Sequence, residues 1–227
     1  MAQKTRSCMK KFAVIVAGGS GTRMGTEMPK QFLLLAEKPI LMHTLLKFQH
    51  EVDELILVLP ELQKEYWKNL CIKHQFEVSI RIVNGGNSRF ESVKNGLAAI
   101  EENGIVAIHD AVRPFVSADI IRGAFATAKE KGNAVVAIPL QDSIREIKDN
   151  ENKAVDRTLF RLIQTPQCFE VNFLKKAYEQ TEKTTFTDDA SVAEGMGAKI
   201  YLTDGSNDNI KITTPADLTI GEAILKK

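Results

Sequence analysis

The sequence predicts an α/β fold, a mainly parallel sheet with helices on both faces and a polar β-hairpin protruding from it. Three observations carry that expectation. Short, continuous apolar runs at residues 14–16, 55–59, 105–108 and 134–138 have the character of strands buried on both faces. Stretches with helical spacing separate them, and strands alternating with helices imply crossover connections and hence parallel pairing. Residues 142–157 break this rhythm with nine charged residues and an Asp149-Asn150-Glu151-Asn152 turn, the pattern of a hairpin leaving the body.

Taken in order, Val14, Ile15 and Val16 feed a loop of small residues, Ala17-Gly18-Gly19-Ser20-Gly21, followed by the cations Arg23 and Lys30. Glycines let several N–H groups approach one anion, and the two cations supply the charge a triphosphate needs. The loop lacks the Gly-Lys-Ser/Thr of a Walker motif, and Met24 stands where a dinucleotide fingerprint has its third glycine. The plainer reading is a turn after an edge strand. Ile40, Leu41, Leu45, Leu46 and Phe48 then recur at helical spacing, and Pro60 stops the run at 55–59. Residues 61–74 read as helix, and Val78, Ile80 and Ile82 alternate as a strand that ends at Asn84-Gly85-Gly86. Ser88 and Glu91 form a capping box for a helix burying Val93, Leu97 and Ile100. The strand at 105–108 runs into His109-Asp110-Ala111-Val112-Arg113-Pro114, and a helix at 120–128 precedes the strand at 134–138. Beyond the hairpin come a helix near 171–179, a second capped by Thr187, a strand at 200–202 and a last helix opened by Thr214-Pro215.

A chain of 227 residues can bury a sizeable core and fits one domain over 11–227, with 140–158 as an arm and 1–10 as a disordered leader. The net charge of +1 gives no global field for nucleic acid or an anionic membrane, so any anion site is local. No run approaches a membrane span. Cys8, Cys71 and Cys168 are widely spaced and odd in number, which argues against a disulfide framework and fits a reducing cytoplasm. The unpaired edges of the hairpin invite a second copy, so this segment reads either as a dimerisation arm or as a solvated loop.

Ligands in an open parallel sheet bind beyond the carboxyl ends of its strands. The Gly18 to Arg23 loop, Gly85-Gly86 with Ser88, Arg89 and Ser92, and Asp110 with Arg113 each follow an apolar strand. Singly, these read as a turn, a helix cap and a local ion pair. Together with Arg157, Thr165 and Lys211 they describe a cation-rich cavity suited to phosphate-bearing substrates. No Ser elbow suggests covalent catalysis, and His43, His50, His74 and His109 lack metal-ligand spacing. Magnesium is still expected, held mainly by substrate phosphates with Asp110 as the best carboxylate and Asp208 a weaker one.

The stretches A-G-G-S-G-T-R-M-G with P-K-Q-F, G-G-N-S-R-F-E-S-V, H-D-A-V-R-P-F, V-D-R, T-P-Q, T-D-D-A-S and D-N-I-K-I-T-T-P-A-D-L run in order over nearly the whole chain. In this the chain resembles the 2-C-methyl-D-erythritol 4-phosphate cytidylyltransferase family. The resemblance implies a Rossmann-like nucleotidyltransferase fold and a homodimer built through an extended arm. It also implies transfer of CMP from CTP to methylerythritol phosphate, with release of pyrophosphate, in non-mevalonate isoprenoid precursor synthesis. Carried over by position, Ala17, Gly18, Gly19, Gly21, Arg23, Met24, Lys30, Gly85, Gly86, Arg89, Ser92 and Asp110 bind CTP. Asp110, Ala111, Arg113, Ser143, Arg157, Thr165, Thr187 and Lys211 surround the sugar phosphate.

Arg23 and Lys30 match the family's transition-state stabilisers, and losing either is expected to cost on the order of 3 kcal/mol of barrier. Arg157 and Lys211 are the remaining catalytic candidates, fixing the acceptor phosphate for in-line attack. Ser143, where the family often has Thr, lies on the arm and would reach a partner's site, and Val112 stands where a second Ala is common. Ribitol 5-phosphate cytidylyltransferase, sharing the glycine loop and H-D-A-V-R-P-F, is the nearest alternative. A non-catalytic nucleotide-binding protein of the same fold is the alternative of a different class.

Overall fold

The structure, a computed structural model, describes residues 9–18 and 28–227. Strand β1 (Lys10–Val16) is followed by the two-residue strands β2 (Leu34–Leu35) and β3 (Lys38–Pro39), then α1 (Ile40–Phe48), β4 (Glu54–Leu59), α2 (Lys64–Lys73), β5 (Arg81–Asn84) and α3 (Arg89–Ala98). Next come β6 (Gly104–Asp110), α4 (Ala118–Lys131), β7 (Asn133–Pro139), and the hairpin strands β8 (Arg145–Lys148) and β9 (Glu151–Ala154). Strand β10 (Arg161–Glu170), α5 (Val171–Ala177), α6 (Asp189–Glu194), β11 (Leu202–Asp204) and α7 (Pro215–Leu225) complete the order.

The main sheet has seven strands in the order β11-β7-β10-β6-β1-β4-β5. β1 is therefore central, not an edge strand. It pairs in parallel with β4 and β6, while β10 runs antiparallel between β6 and β7. Alternate residues of β1 serve the two faces: Ala13 and Ile15 join the core under α1, α2 and α4, while Phe12 and Val14 join the one under α3, α5 and α6. Each fully buried Val, Ile or Phe here contributes roughly 1.5–3 kcal/mol. Gly96 lets α3 lie close on the sheet, since a Cβ there would meet Val14 Cγ1 at 2.5 Å and Val58 Cγ2 at 2.9 Å. That close approach brings the amino end of α3 to the carboxyl edge of the sheet.

Several sequence expectations shift. The whole of β10 was not expected, because Gln164, Thr165 and Gln167 interrupt its apolar pattern; all three are buried and hydrogen-bonded instead. The strand expected around Val78 to Ile82 lies at Arg81–Asn84, where pairing with Ile56 to Leu59 fixes it. Val78 and Ile80 pack against the core without joining the ladder. The strand expected at 200–202 begins at Leu202, in register with Val135 of β7. Asp188, not Thr187, caps α6, through a reciprocal box with Ser191. Ser88 does cap α3 by accepting the Glu91 N–H, but the Glu91 carboxylate accepts from Asn87 N–H, one residue earlier than a capping box requires. Lys10, expected in the leader, belongs to β1.

The hairpin turns at Asp149 and Asn150, with φ of 50° and 66°. Asn and Asp tolerate this left-handed region better than other residues with a side chain. Both strands are exposed throughout.

Candidate active site

Main-chain bonds align the loops at the carboxyl edge. Ala17 N–H donates to Val58 O at 3.0 Å, Gly85 N–H to Leu59 O at 2.8 Å and Ala111 N–H to Val16 O at 3.1 Å. The strand order changes direction at β1, with β4 and β5 on one side and β6 on the other, so a crevice opens between its neighbouring loops. A cavity of about 220 Å³ occupies it. Its lining includes Ala17, Gly18, Lys30 and Gln31 from the first loop, and Gly86, Ser88, Arg89 and Ser92 from the start of α3. Asp110, Ala111, Val112 and Lys211 close the other side.

Asp110 is the one acid among these lining residues. Its Oδ2 meets Lys211 Nζ at 3.0 Å and Arg113 Nε at 3.2 Å. Burial alone would raise this carboxyl, but Lys211, Arg89 and Arg113 outweigh burial and hold it well below the usual carboxylate range. Asp110 N–H donates to Thr165 Oγ1 at 3.2 Å, and Thr165 Oγ1 lies 3.0 Å from His109 Nδ1. His109 Nε2 faces Arg113 O at 3.1 Å. A carbonyl only accepts, so Nε2 carries the proton and Nδ1 accepts from the Thr165 hydroxyl. Full burial pushes the imidazole down to about 4, so it is neutral near pH 7. Thr44 Oγ1 donates to Ala111 O at 2.8 Å, and Arg113 Nη1 to Asn209 O at 2.8 Å. Asn209 also donates to Thr165 O and Gln164 Oε1, stitching the strand that carries Thr165 to the loop that carries Lys211.

Across the cavity, Arg89 makes a two-pronged pair with Asp189 of α6, at 3.0 and 2.7 Å, and the Tyr178 hydroxyl donates to the same carboxylate at 2.6 Å. Burial opposes the Arg89 charge, but the Asp189 field and hydrogen bonds overcome it and keep the guanidinium above the ordinary arginine range. Ser92 Oγ accepts Gly86 N–H at 3.1 Å. A Cβ on Gly18 or Gly85 would stand 3.4 or 3.3 Å from that Oγ, so Ser92 lies between the two glycine turns.

The sequence candidates thus divide. Ala17, Gly18, Lys30, Gly86, Arg89, Ser92, Asp110, Ala111 and Lys211 meet at one cavity. Gly85, Arg113 and Thr165 stand just behind it, bonded to its lining or its strands. Gly19, Gly21, Arg23 and Met24, like Cys8, lie outside the described residues. Arg157, Ser143 and Thr187 are exposed and do not line this cavity. Arg157 sits at the foot of the hairpin and donates to Gln141 O. Asp208 is paired with Lys227 at 2.7 Å, away from the lining. Among the described residues no three His, Cys, Asp or Glu side chains gather as a metal-binding group. Sequence reasoning missed Gln31, Asp189 and Asn209. The adjacency of Gln31 to Lys30 was the available signal; the other two announce themselves only through burial.

The family model of 2-C-methyl-D-erythritol 4-phosphate cytidylyltransferase matches residues 11–227. The chain belongs to this family. It is 47% identical over 219 residues to the 2-C-methyl-D-erythritol 4-phosphate cytidylyltransferase of Bacteroides thetaiotaomicron, covering 96% of this chain and 100% of that protein. The enzyme of the same name from Porphyromonas gingivalis strain W83 is 48% identical over 217 residues, covering 95% and 98%. Two crystal structures agree in fold. The 4-diphosphocytidyl-2C-methyl-D-erythritol synthase of Anaerococcus prevotii has a TM-score of 0.82 at 27% identity, covering 96% of this chain and 99% of that one. The cytidylyltransferase of Thermus thermophilus gives 0.77 at 29% identity, covering 94% and 98%. The Rossmann-like nucleotidyltransferase fold expected from the sequence is the fold of this cytidylyltransferase family member.

Proposed function

We infer that the chain transfers CMP from CTP to 2-C-methyl-D-erythritol 4-phosphate, giving 4-CDP-2-C-methyl-D-erythritol and pyrophosphate in isoprenoid precursor synthesis. The observation that carries this reading is that Lys30, Arg89 and Lys211 line one cavity with a single carboxylate, Asp110, beside a glycine turn at the strand switch point. Two anionic substrates suit such a cavity. The relatives' shared name favours methylerythritol phosphate over ribitol phosphate as acceptor.

The acceptor phosphate is its own nucleophile. With a second pKa of about 6 it is largely dianionic at neutral pH, so no general base is needed. Catalysis then consists of positioning and charge. Gly18 and Gly86 bring turn backbone to the cavity wall to receive the triphosphate, and Lys30, with Arg23, stabilises charge gathering on the α-phosphate and the leaving pyrophosphate. Lys211, steered by Asp110, holds the acceptor phosphate in line. A magnesium ion fits this donor set: one ionised carboxylate, Asp110, at the cavity matches the usual pattern of substrate phosphates plus one protein carboxylate. It would supply charge neutralisation on the phosphates.

The working unit is a homodimer joined through the arm. Leu159, Phe160, Leu162 and Ile163 at its foot and Ile147 on β8 are exposed apolar side chains, which favour a covered face. In a dimer, Arg157 and Ser143 reach the partner's cavity and complete its acceptor side. The cysteines suit a cytoplasmic location, and no described helix is long and apolar enough to cross a membrane.

The test is pyrophosphate release by the purified protein with CTP and magnesium, comparing methylerythritol 4-phosphate with ribitol 5-phosphate. Release with methylerythritol phosphate, reduced on the order of a hundredfold in Lys30→Ala, is expected. A preference for ribitol phosphate would change the acceptor alone, whereas release with neither would return the chain to nucleotide binding without turnover.

A further inference from the structure

Gln31 has a buried carboxamide, 1% exposed, in the wall of the cavity. Its Nε2 donates both of its hydrogens: to Ala17 O at 2.8 Å and to Gln63 Oε1 at 2.8 Å. Ala17 is where the glycine loop leaves β1, and Gln63 closes the short turn (Glu61–Gln63) that leads into α2. Gln31 itself belongs to a single 3-10 turn, Lys30–Phe32. The next residue is a second anchor, since Phe32 is buried against Tyr66 and Trp67 of α2, with ring centroids 5.1 and 6.4 Å away.

Lys30 thus begins a turn whose other two side chains are both fixed in the protein. A one-turn 3-10 helix has little rigidity of its own. Beyond the bonds that close the turn itself, Phe32 N–H to Pro29 O at 2.9 Å and Leu33 N–H to Lys30 O at 3.2 Å, the main chain that carries Lys30 is placed by what its neighbouring side chains grip. The carboxamide is suited to that task because an NH2 group can bridge two acceptors, the Ala17 carbonyl and the Gln63 side-chain oxygen. A carboxylate could make neither bond and would add negative charge to a cavity meant for triphosphate.

We propose that Gln31 is a positioning residue that ties the Lys30 turn to the start of the glycine loop, so that the Lys30 ammonium and the backbone at Ala17 and Gly18 address the same phosphate. This rests on the reading of Lys30 as a transition-state stabiliser. Misplacing a catalytic group by about 1 Å costs on the order of a hundredfold in rate. Loss of the Gln31 tether therefore lowers kcat while leaving the CTP KM nearly unchanged, because the glycine loop still binds phosphate.

The test is a double-mutant cycle on the full-length protein, with pyrophosphate release as readout and thermal unfolding measured in parallel. Gln31→Met keeps length and packing but removes the donors; Gln31→Asn keeps the donors on an arm too short to reach both acceptors and serves if the Met variant folds poorly. On the parent background either variant is expected to lose between tenfold and on the order of a hundredfold in kcat. On the Lys30→Ala background the same change is expected to cost almost nothing, the signature of a residue acting through its neighbour. Equal losses on both backgrounds would overturn the inference while leaving Lys30 catalytic, and so would a loss confined to KM. A Lys30→Ala protein that turns over like the parent would overturn the catalytic reading of Lys30 and, with it, the tether.

Discussion

His109 and Asp110 are adjacent in sequence and both buried, yet they hold opposite protonation behaviour. Asp110 faces Lys211 and Arg113 and stays ionised, whereas His109 lies between a hydroxyl and a carbonyl with its ring on Phe48, 4.8 Å away, and stays neutral. The histidine makes folding pH-dependent. Its folded value is about 4 and its unfolded value about 6.5, so between these the unfolded chain binds a proton that the folded one excludes. Stability therefore falls as pH drops from about 6.5 to 4, this group contributing on the order of 3 kcal/mol in total. Urea unfolding midpoints across that range should show the slope, and His109→Phe, which keeps a ring on Phe48, should flatten it. An unchanged slope in the variant would place the titration elsewhere. At this scale the sequence exposed Asp110 and Arg113 through their position after an apolar strand. It gave His109 no distinct role, because burial and tautomer depend on Thr165, 56 residues away.

The element that does most for the cavity is α3. Ser88 caps it, Arg89 and Ser92 face the ligand side, and Gly86 supplies an N–H to Ser92. Gly86 is also where a side chain cannot fit: its Cβ would stand 2.3 Å from Glu91 Cβ and 2.8 Å from Glu91 Oε2. Gly86→Ala is expected to displace the turn from the helix, costing about 1–3 kcal/mol of stability by overpacking and weakening CTP binding more than it slows chemistry. Thermal unfolding together with the KM for CTP checks this, and an unperturbed KM would mean the turn does not approach the nucleotide. The turn and cap were legible from Asn84-Gly85-Gly86 and Ser88 because turn and cap chemistry is local. The shift of β5, the missing β10 and the displaced cap of α6 were not, because partner strands and buried amide contacts set them. Gln167 illustrates this: its Nε2 donates to Asp188, the true cap, and its Oε1 accepts from Ala190 N–H.

For the molecule as a whole, the cavity of one chain lacks Arg157, Ser143 and Thr187. The hairpin forms a two-stranded sheet of its own, exposed throughout, and Leu159 and Phe160 beside it are exposed too. If Arg157 acts across a dimer, two inactive variants can repair each other. Lys30→Ala and Arg157→Ala proteins, each nearly inactive, should regain up to about a quarter of parental turnover when mixed and allowed to exchange subunits, the statistical yield of intact sites for random pairing. Activity that stays at the level of the separate variants after demonstrated exchange would put Arg157 in its own chain's site. The seven-motif order in the sequence is what made the family visible, and the resemblance implies a place for Arg157 on the acceptor side without saying in whose site.

By itself the sequence determined the α/β alternation, the caps of α3 and α7, the hairpin and the family, since each rests on local periodicity, turn chemistry or ordered motifs. Tertiary structure alone decided that β10 runs antiparallel through the middle of the sheet and that Asp189 grips Arg89. It alone decided, too, that Gln31 reaches back to Ala17 and that His109 is neutral. The division has one physical cause: a buried polar group takes its role from the partner that satisfies it, and that partner is supplied by the fold rather than by neighbours in the chain.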